Sequence, residues 1–281
     1  MCIRDSREAA DPARRLATVK AAVRETLLAT SAPEADVNAF LDDMPDRYFF
    51  TVAENDIVLH FDLMRSLGDR PLVCRIRHFP ELEFSEFIVV AHDQPGLFSM
   101  IAGALTANNL NILSARITTR TNGVAIDVFR VSHQMGEGSM ALEEDRWQRV
   151  EHDLERVVTG QQDIAAMVAA AHHVQSAGRK FIRHVPTEVT VDNRTSEQFT
   201  VIDVFTQDRV GLLFAITHTL FRLGLRIHLA RISTNADQAL DVFYVSDRDG
   251  GQKIEDLDRM RELRAALLEK VVQNPRPGAH T

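Results

Sequence analysis

Sliding the chain against itself by 115 residues brings Asp93, Gly96, Leu97, Ile101, Leu105, Leu110, Ile112, Ala115, Arg116 and Ile117 onto Asp208, Gly211, Leu212, Ile216, Leu220, Leu225, Ile227, Ala230, Arg231 and Ile232. After a one-residue gap the match resumes, with Ala125, Asp127, Val128, Phe129, Val131 and Ser132 meeting Ala239, Asp241, Val242, Phe243, Val245 and Ser246. A repeat of this length means that two copies of one supersecondary unit build the fold. The gap falls where a turn is expected.

Each copy opens with a β-branched strand, Phe87–Ala91 or Thr200–Thr206, followed by a glycine turn. A helix follows, because Leu97, Ile101 and Leu105, like Leu212, Ile216 and Leu220, recur every four residues and form one apolar stripe. In the first copy the segments ILSARITT and VAIDVFRVS flank Arg120-Thr121-Asn122-Gly123, a hairpin signal. A second amphipathic helix closes each unit, marked by Trp147, Val150, Leu154 and Val157, and again by Leu257, Met260, Leu263 and Leu267. The resulting βαββα pattern leaves a four-stranded ferredoxin-like sheet one strand short. Leu72–Arg77 and Glu188–Asp192 alternate in polarity one loop upstream, and the prolines before them, Pro71 and Pro186, are again 115 apart. The expectation is therefore an α+β chain of two tandem ββαββα units. In the hairpins Arg116 is placed opposite Asp127, and Arg231 opposite Asp241. Such a pair is either a surface ion pair of about 0–1 kcal/mol or part of an interface, with Phe129, Val131, Phe243 and Val245 on the same face.

The 281 residues are 45% apolar and 26% charged, an ordinary globular composition with room for two domains of about 100 residues. A net charge of −8 argues against nucleic acid and anionic membrane as partners and directs attention to small ligands. Cys2 and Cys74, without a CxxC, exclude a disulfide scaffold or thiolate zinc site and fit a cytoplasmic setting. No apolar run approaches the roughly 18 residues of a membrane span, and the opening MCIRDSREAADPARR lacks the apolar middle of a signal peptide. Residues 1–6 carry no pattern continuous with the neighbouring helical segment and read as an artefact. That helical segment over 7–70, units over 71–172 and 186–273, and a tail over 274–281 complete the expected organisation.

The segments HDQPGLFSMIAGALTANNLNILSARI and QDRVGLLFAITHTLFRLGLRIHLARI resemble ACT domains. DVFRVS and DVFYVSD, with RYFFTVAENDIVLHFDLM ahead of the first unit, narrow the resemblance to the C-terminal half of the bacterial bifunctional PII uridylyltransferase/uridylyl-removing enzymes. Over residues 34–273 this resemblance implies glutamine sensing, with UMP added to the PII signalling protein when glutamine is scarce and removed when it is plentiful. It makes 7–70 the tail of an HD domain plus a connector. It also implies two active sites elsewhere, a nucleotidyltransferase whose Asp pair holds Mg2+ and an HD phosphohydrolase. Gly138-Ser139 is followed by MALEEDRW without the Asp-x-Asp that could grip magnesium. His92-Asp93 falls at a strand-to-helix turn, His152-Asp153 inside a closing helix, and His172-His173 lacks carboxylates at ligand spacing. All three read as structural, and His60 as packing. The chain is expected to be a catalytically inactive regulatory fragment needing no cofactor of its own.

The resemblance also marks a ligand site. In ACT regulators the polar residue three before the turn glycine and the polar residue opening strand two often contact an amino acid. This implies Asp93 with Asn111 in the first copy and Asp208 with Arg226 in the second, together with Gln94, Gly96 and Leu97 or Gly211 and Leu212 of the turns. A helix N-terminus offers free N–H groups to a carboxylate, and Asn111 can both donate and accept. A helix N-cap is the competing role for Asp93. Because Arg226 departs from Asn, and Val210 from Pro, the first copy is the expected binder. Two other functions fit the pattern: an amino-acid module regulating a different enzyme, or an interaction module without ligand.

Overall fold

The computed structural model describes residues 12–133, 140–175, 186–235 and 238–272; the opening hexapeptide with Cys2, Gly138-Ser139 and the 274–281 tail lie outside them. Four helices come first: α1 (Pro12–Ala29), α2 (Glu34–Asp43), α3 (Asp46–Thr51) and α4 (Glu54–Leu67). Pro33 and Pro45 stand at the N-caps of α2 and α3, where a missing N–H costs no helical hydrogen bond. Phe40, Tyr48, Phe49 and Phe61 pack edge to face, Phe40 and Phe61 with ring centres 5.4 Å apart. His60 is buried among them and shares a 2.8 Å hydrogen bond with the Tyr48 hydroxyl. Burial pushes its pKa down to about 4, which keeps it neutral near pH 7. No helix among the described residues is long and apolar enough to cross a membrane.

The first repeat comprises β1 (Leu72–Phe79), β2 (Phe84–His92), α5 (Leu97–Ala107), β3 (Leu110–Thr119), β4 (Val124–His133), α6 (Met140–Val158) and α7 (Ile164–Gln175). The second comprises β5 (Glu188–Asp192), β6 (Thr200–Gln207), α8 (Leu212–Arg222), β7 (Leu225–Asn235), β8 (Gln238–Asp247) and α9 (Leu257–Val272). The sheets are antiparallel with orders β1-β2-β4-β3 and β5-β6-β8-β7. Each upstream strand thus pairs inside its own unit, β5 with β6, and the ββαββα reading holds. Helix α7 has no counterpart in the second unit among the described residues. It packs on α5 through an alanine-rich sequence anchored by buried Ile164, Met167 and Val168.

The expected hairpin register is corrected by a β-bulge. Leu110 to Ile112 pair with His133 to Val131 in the register that would put Arg116 opposite Asp127. The ladder then skips Leu113, so Ile117 faces Asp127 and Arg116 faces Val128. His228 is skipped in the same way in the second unit, placing Ile232 opposite Asp241 and Arg231 opposite Val242. A one-residue slip exchanges sheet faces, so each arginine is exposed while each aspartate lies under the helices. Neither pair exists. Phe129, Val131, Phe243 and Val245 are fully buried core residues, which removes the exposed aromatic face on which an interface reading rested.

Beneath the first sheet, Ile88, Val90, Val124 and Ile126 of the opposite face join the core of the four-helix segment. Above it, one apolar core runs through both units, with β3 against β7 and α5 against α8. The tightest point is Gly103 of α5, where an added β-carbon would come within 2.3 Å of Ile164 Cγ1 and 3.0 Å of Phe214 Cδ2. Gly103→Leu is expected to overpack this crossing and destabilise the protein by about 1–3 kcal/mol. A urea-unfolding midpoint equal to that of the parent would contradict packing this close.

Candidate ligand site between the two units

Because β3 and β7 run past each other in opposite senses, the start of each lies beside the strand-to-helix turn of the other unit. Each turn is therefore completed across the junction rather than within its own repeat. Arg226 Nη2 donates to Asp93 Oδ2 at 2.6 Å, and Asn111 Nδ2 donates to Asp208 Oδ2 at 2.9 Å. The expected partnerships, Asp93 with Asn111 and Asp208 with Arg226, are exchanged. An intra-unit reading could not see that the neighbouring edge strand arrives at the turn.

The two clefts are unlike. That at the first turn encloses about 240 Å³ and is lined by Asp93, Gln94, Gly96, Leu97, Phe98 and Ser99 of one unit and by Thr217, Phe221, Arg226, Ile227 and Arg248 of the other. Gly96 is the N-cap of α5 with φ of 84°, a left-handed conformation that favours glycine, and no side chain caps that helix. The capping role is thereby excluded for Asp93. Phe221 packs over Gly96, leaving 3.0 Å for any added β-carbon. The Arg248 guanidinium lies 4.5 Å from the Phe221 ring centre and donates to the Phe221 carbonyl. Gln94 is tied to α6, its Nε2 donating to the Val158 carbonyl at 3.2 Å.

The counterpart at the second turn, with Gly211 at φ 83° and Leu212 buried, encloses only about 10 Å³. Burial raises the Asp208 carboxyl above its ordinary range, against the hydrogen bond from Asn111. Asn111 thus seals one cleft, whereas the sequence pattern assigns it to the other. Asn111→Ala is expected to cost about 1 kcal/mol through the lost bond and to leave ligand binding at the first turn within about twofold, since 0.4 kcal/mol is a factor of two. Loss of binding in that variant would contradict the assignment.

Two carboxylates noted in the sequence only as ion-pair candidates sit at the floors of these clefts. Asp127 lines the larger and Asp241 the smaller. Burial pushes Asp127 well above the usual carboxylate range, assisted by Asp93, while the Thr118 backbone N–H opposes the shift. Burial likewise pushes Asp241 up to about 7. Between pH 3.8, its ordinary value, and about 7, the folded chain holds a proton that the unfolded chain releases. The contribution of this group to stability is therefore full below that window and is lost as pH rises through it. Asp241→Asn is expected to gain on the parent across the window by up to about 1.4 kcal/mol per pH unit, in paired urea titrations. Parallel pH profiles would contradict the shift. Sequence reasoning also missed Ser99, on the first turn of α5, and Thr217, Phe221 and Arg248, which no pattern within one repeat connects to the turn at Asp93.

The ACT domain family matches residues 85–141, and the ACR9-like, ACT-like domain family matches residues 188–276. The fold and the two turns thus define a tandem ACT-domain protein. Over most of its length the chain is homologous to bifunctional uridylyltransferase/uridylyl-removing enzymes. That of Gluconobacter oxydans is 36% identical over 246 residues, covering 86% of this chain and 26% of the relative. That of Rhodospirillum rubrum is 35% identical over 256 residues, covering 89% and 27%. That of Azospirillum brasilense is 38% identical over 208 residues, covering 73% and 22%. The chain thus spans about a quarter of the length of these relatives.

Proposed function

We propose that the chain is a regulatory amino-acid sensor that binds glutamine in the cleft at Asp93 and, within an enzyme of the uridylyltransferase/uridylyl-removing type, governs modification of the PII protein. The observation that carries this reading is the cleft itself, where Asp93, Arg226 and Arg248 converge on a small, partly apolar space. A zwitterion needs both signs of charge. Its carboxylate is matched by Arg226, Arg248 and the positive end of α5, its ammonium by carboxylate, and its side chain by Leu97, Phe98 and Ile227. At about 240 Å³ the space falls below the roughly 300–1,000 Å³ of drug-sized ligand sites, which favours a single amino acid.

Ligand at the junction acts on both units at once, and the helical segment touches both. Asp43 accepts from Arg120 Nη2 at 2.9 Å and from Thr121 Oγ1 at 2.7 Å, gripping the β3–β4 turn. Arg47 Nη2 donates to the His228 carbonyl of β7 at 3.1 Å. A ligand that favours one spacing of β3 and β7 shifts the population of helical-segment arrangements by its differential affinity for them. Calorimetric titration with glutamine, glutamate and asparagine tests the ligand, glutamine alone being expected to give saturable heat near its cellular concentration range. Saturation by a different amino acid would assign the module to another regulated enzyme. No heat from any of them would overturn the sensor reading.

A further inference from the structure

The inner wall of the Asp93 cleft carries two polar atoms that the protein itself does not satisfy. Ser99 Oγ of α5 and Asp127 Oδ1 of β4 are both buried, 3% and 2% exposed, without a hydrogen-bond partner among the described residues. Both line the cleft. Buried polar groups in folded proteins are nearly always paired, and an orphan calls for a missing partner. A partner bearing hydrogen-bond donors suits the ionised form, since a carboxylate oxygen only accepts and the donor to that carboxyl among the described residues is the Thr118 backbone N–H. Resting on the amino-acid reading above, we propose that Ser99 and Asp127 form an inner subsite for the ligand's ammonium group, and that binding there displaces a proton from the Asp127 carboxyl to solvent.

The charges around Asp127 are few. Asp93 faces it from the β2–α5 turn, Arg226 from β7 and Arg248 from beyond β8, and these with Asp127 are the ionisable residues lining the cleft. Arg226 donates to Asp93 and Arg248 to the Phe221 carbonyl, so the hydrogen bonds of both cations go to groups other than Asp127. Burial and Asp93 together favour its protonated form. A ligand ammonium reverses this: the carboxyl O–H bond breaks, the proton leaves to buffer, and the carboxylate pairs with the unchanged R–NH3+. The subsite is confined to one unit. Asp241 has the same orphaned Oδ1, but the residue equivalent to Ser99 is Phe214, and the space beside Asp241 is about 10 Å³.

Calorimetry of the full chain with L-glutamine at pH 7, in two buffers of different ionisation enthalpy, reads the proton directly. The parent is expected to release protons as glutamine binds. Asp127→Asn is expected to bind at least about tenfold more weakly and to release none, while Asp241→Asn behaves as the parent does. Glutamine lacking its α-amino group should bind parent and Asp127→Asn equally. If Asp127→Asn fails to fold, Ser99→Ala carries the test, with weakened binding expected for glutamine but not for the deaminated analogue. Unchanged affinity and proton release in these variants would overturn the subsite while leaving the glutamine reading intact. Absence of glutamine binding to the parent would overturn both.

Discussion

Replacing Arg226 by alanine is expected to weaken glutamine binding by about 2–5 kcal/mol, roughly 30-fold or more, with little change in folding stability. The Arg226 side chain is about half exposed, 54% against 24% for Asp93, so its ion pair with Asp93 is solvent-screened and contributes little to the fold. Its contribution to binding is expected to be larger. Without the guanidinium the ligand carboxylate loses a forked donor and meets Asp93 unneutralised, a like-charge approach. Lysine is expected to restore only part of the affinity, because a point charge cannot donate two parallel hydrogen bonds to a carboxylate. Equal affinity in parent and Arg226→Ala, measured by calorimetry at fixed salt, would remove Arg226 from the site.

Trp147→Ala is expected to produce the largest loss of stability, about 3–5 kcal/mol. Trp147 of α6 is 1% exposed and stacks on Phe87 of β2 with ring centres 5.4 Å apart, so its removal opens a cavity between the helix and the middle of the sheet. The effect should reach the ligand site, because the end of α6 holds Gln94 through the Val158 carbonyl. Phenylalanine should recover most of the stability. The indole Nε1 is buried without a hydrogen-bond partner among the described residues, so losing it forfeits packing volume but no hydrogen bond seen there. A denaturation midpoint shared by parent and Trp147→Ala would show that α6 is not anchored there.

The repeat and its ββαββα pattern were legible because strand alternation, helical spacing and the 115-residue offset all point to the same elements. The register was not. A bulge at Leu113 and His228 leaves the apolar pattern of β3 and β7 readable but moves every later partner by one, and neither residue type announces it. Asp127 and Asp241 consequently read as members of surface or interface ion pairs in the sequence, whereas they are cleft floors. The turns at Gly96 and Gly211 were legible from the positive φ that glycine permits. The groups that complete them were not, because Arg226, Phe221 and Arg248 reach the first turn from the other repeat, and pattern within a repeat carries no information about which edge strand its neighbour presents. Helix α7 was legible only as a helix end near His172-His173: with no copy in the second unit among the described residues, it gave the offset nothing to match.

One ligand site, shared between two unlike copies of the same unit, is the centre of this account. Counting glutamine molecules bound per chain at saturation, by calorimetry on the parent, Arg226→Ala and Asn111→Ala, tests it most directly. One molecule per chain is expected, lost with Arg226 and kept without Asn111. Two equivalent molecules per chain, or a single one lost with Asn111 and kept without Arg226, would contradict it.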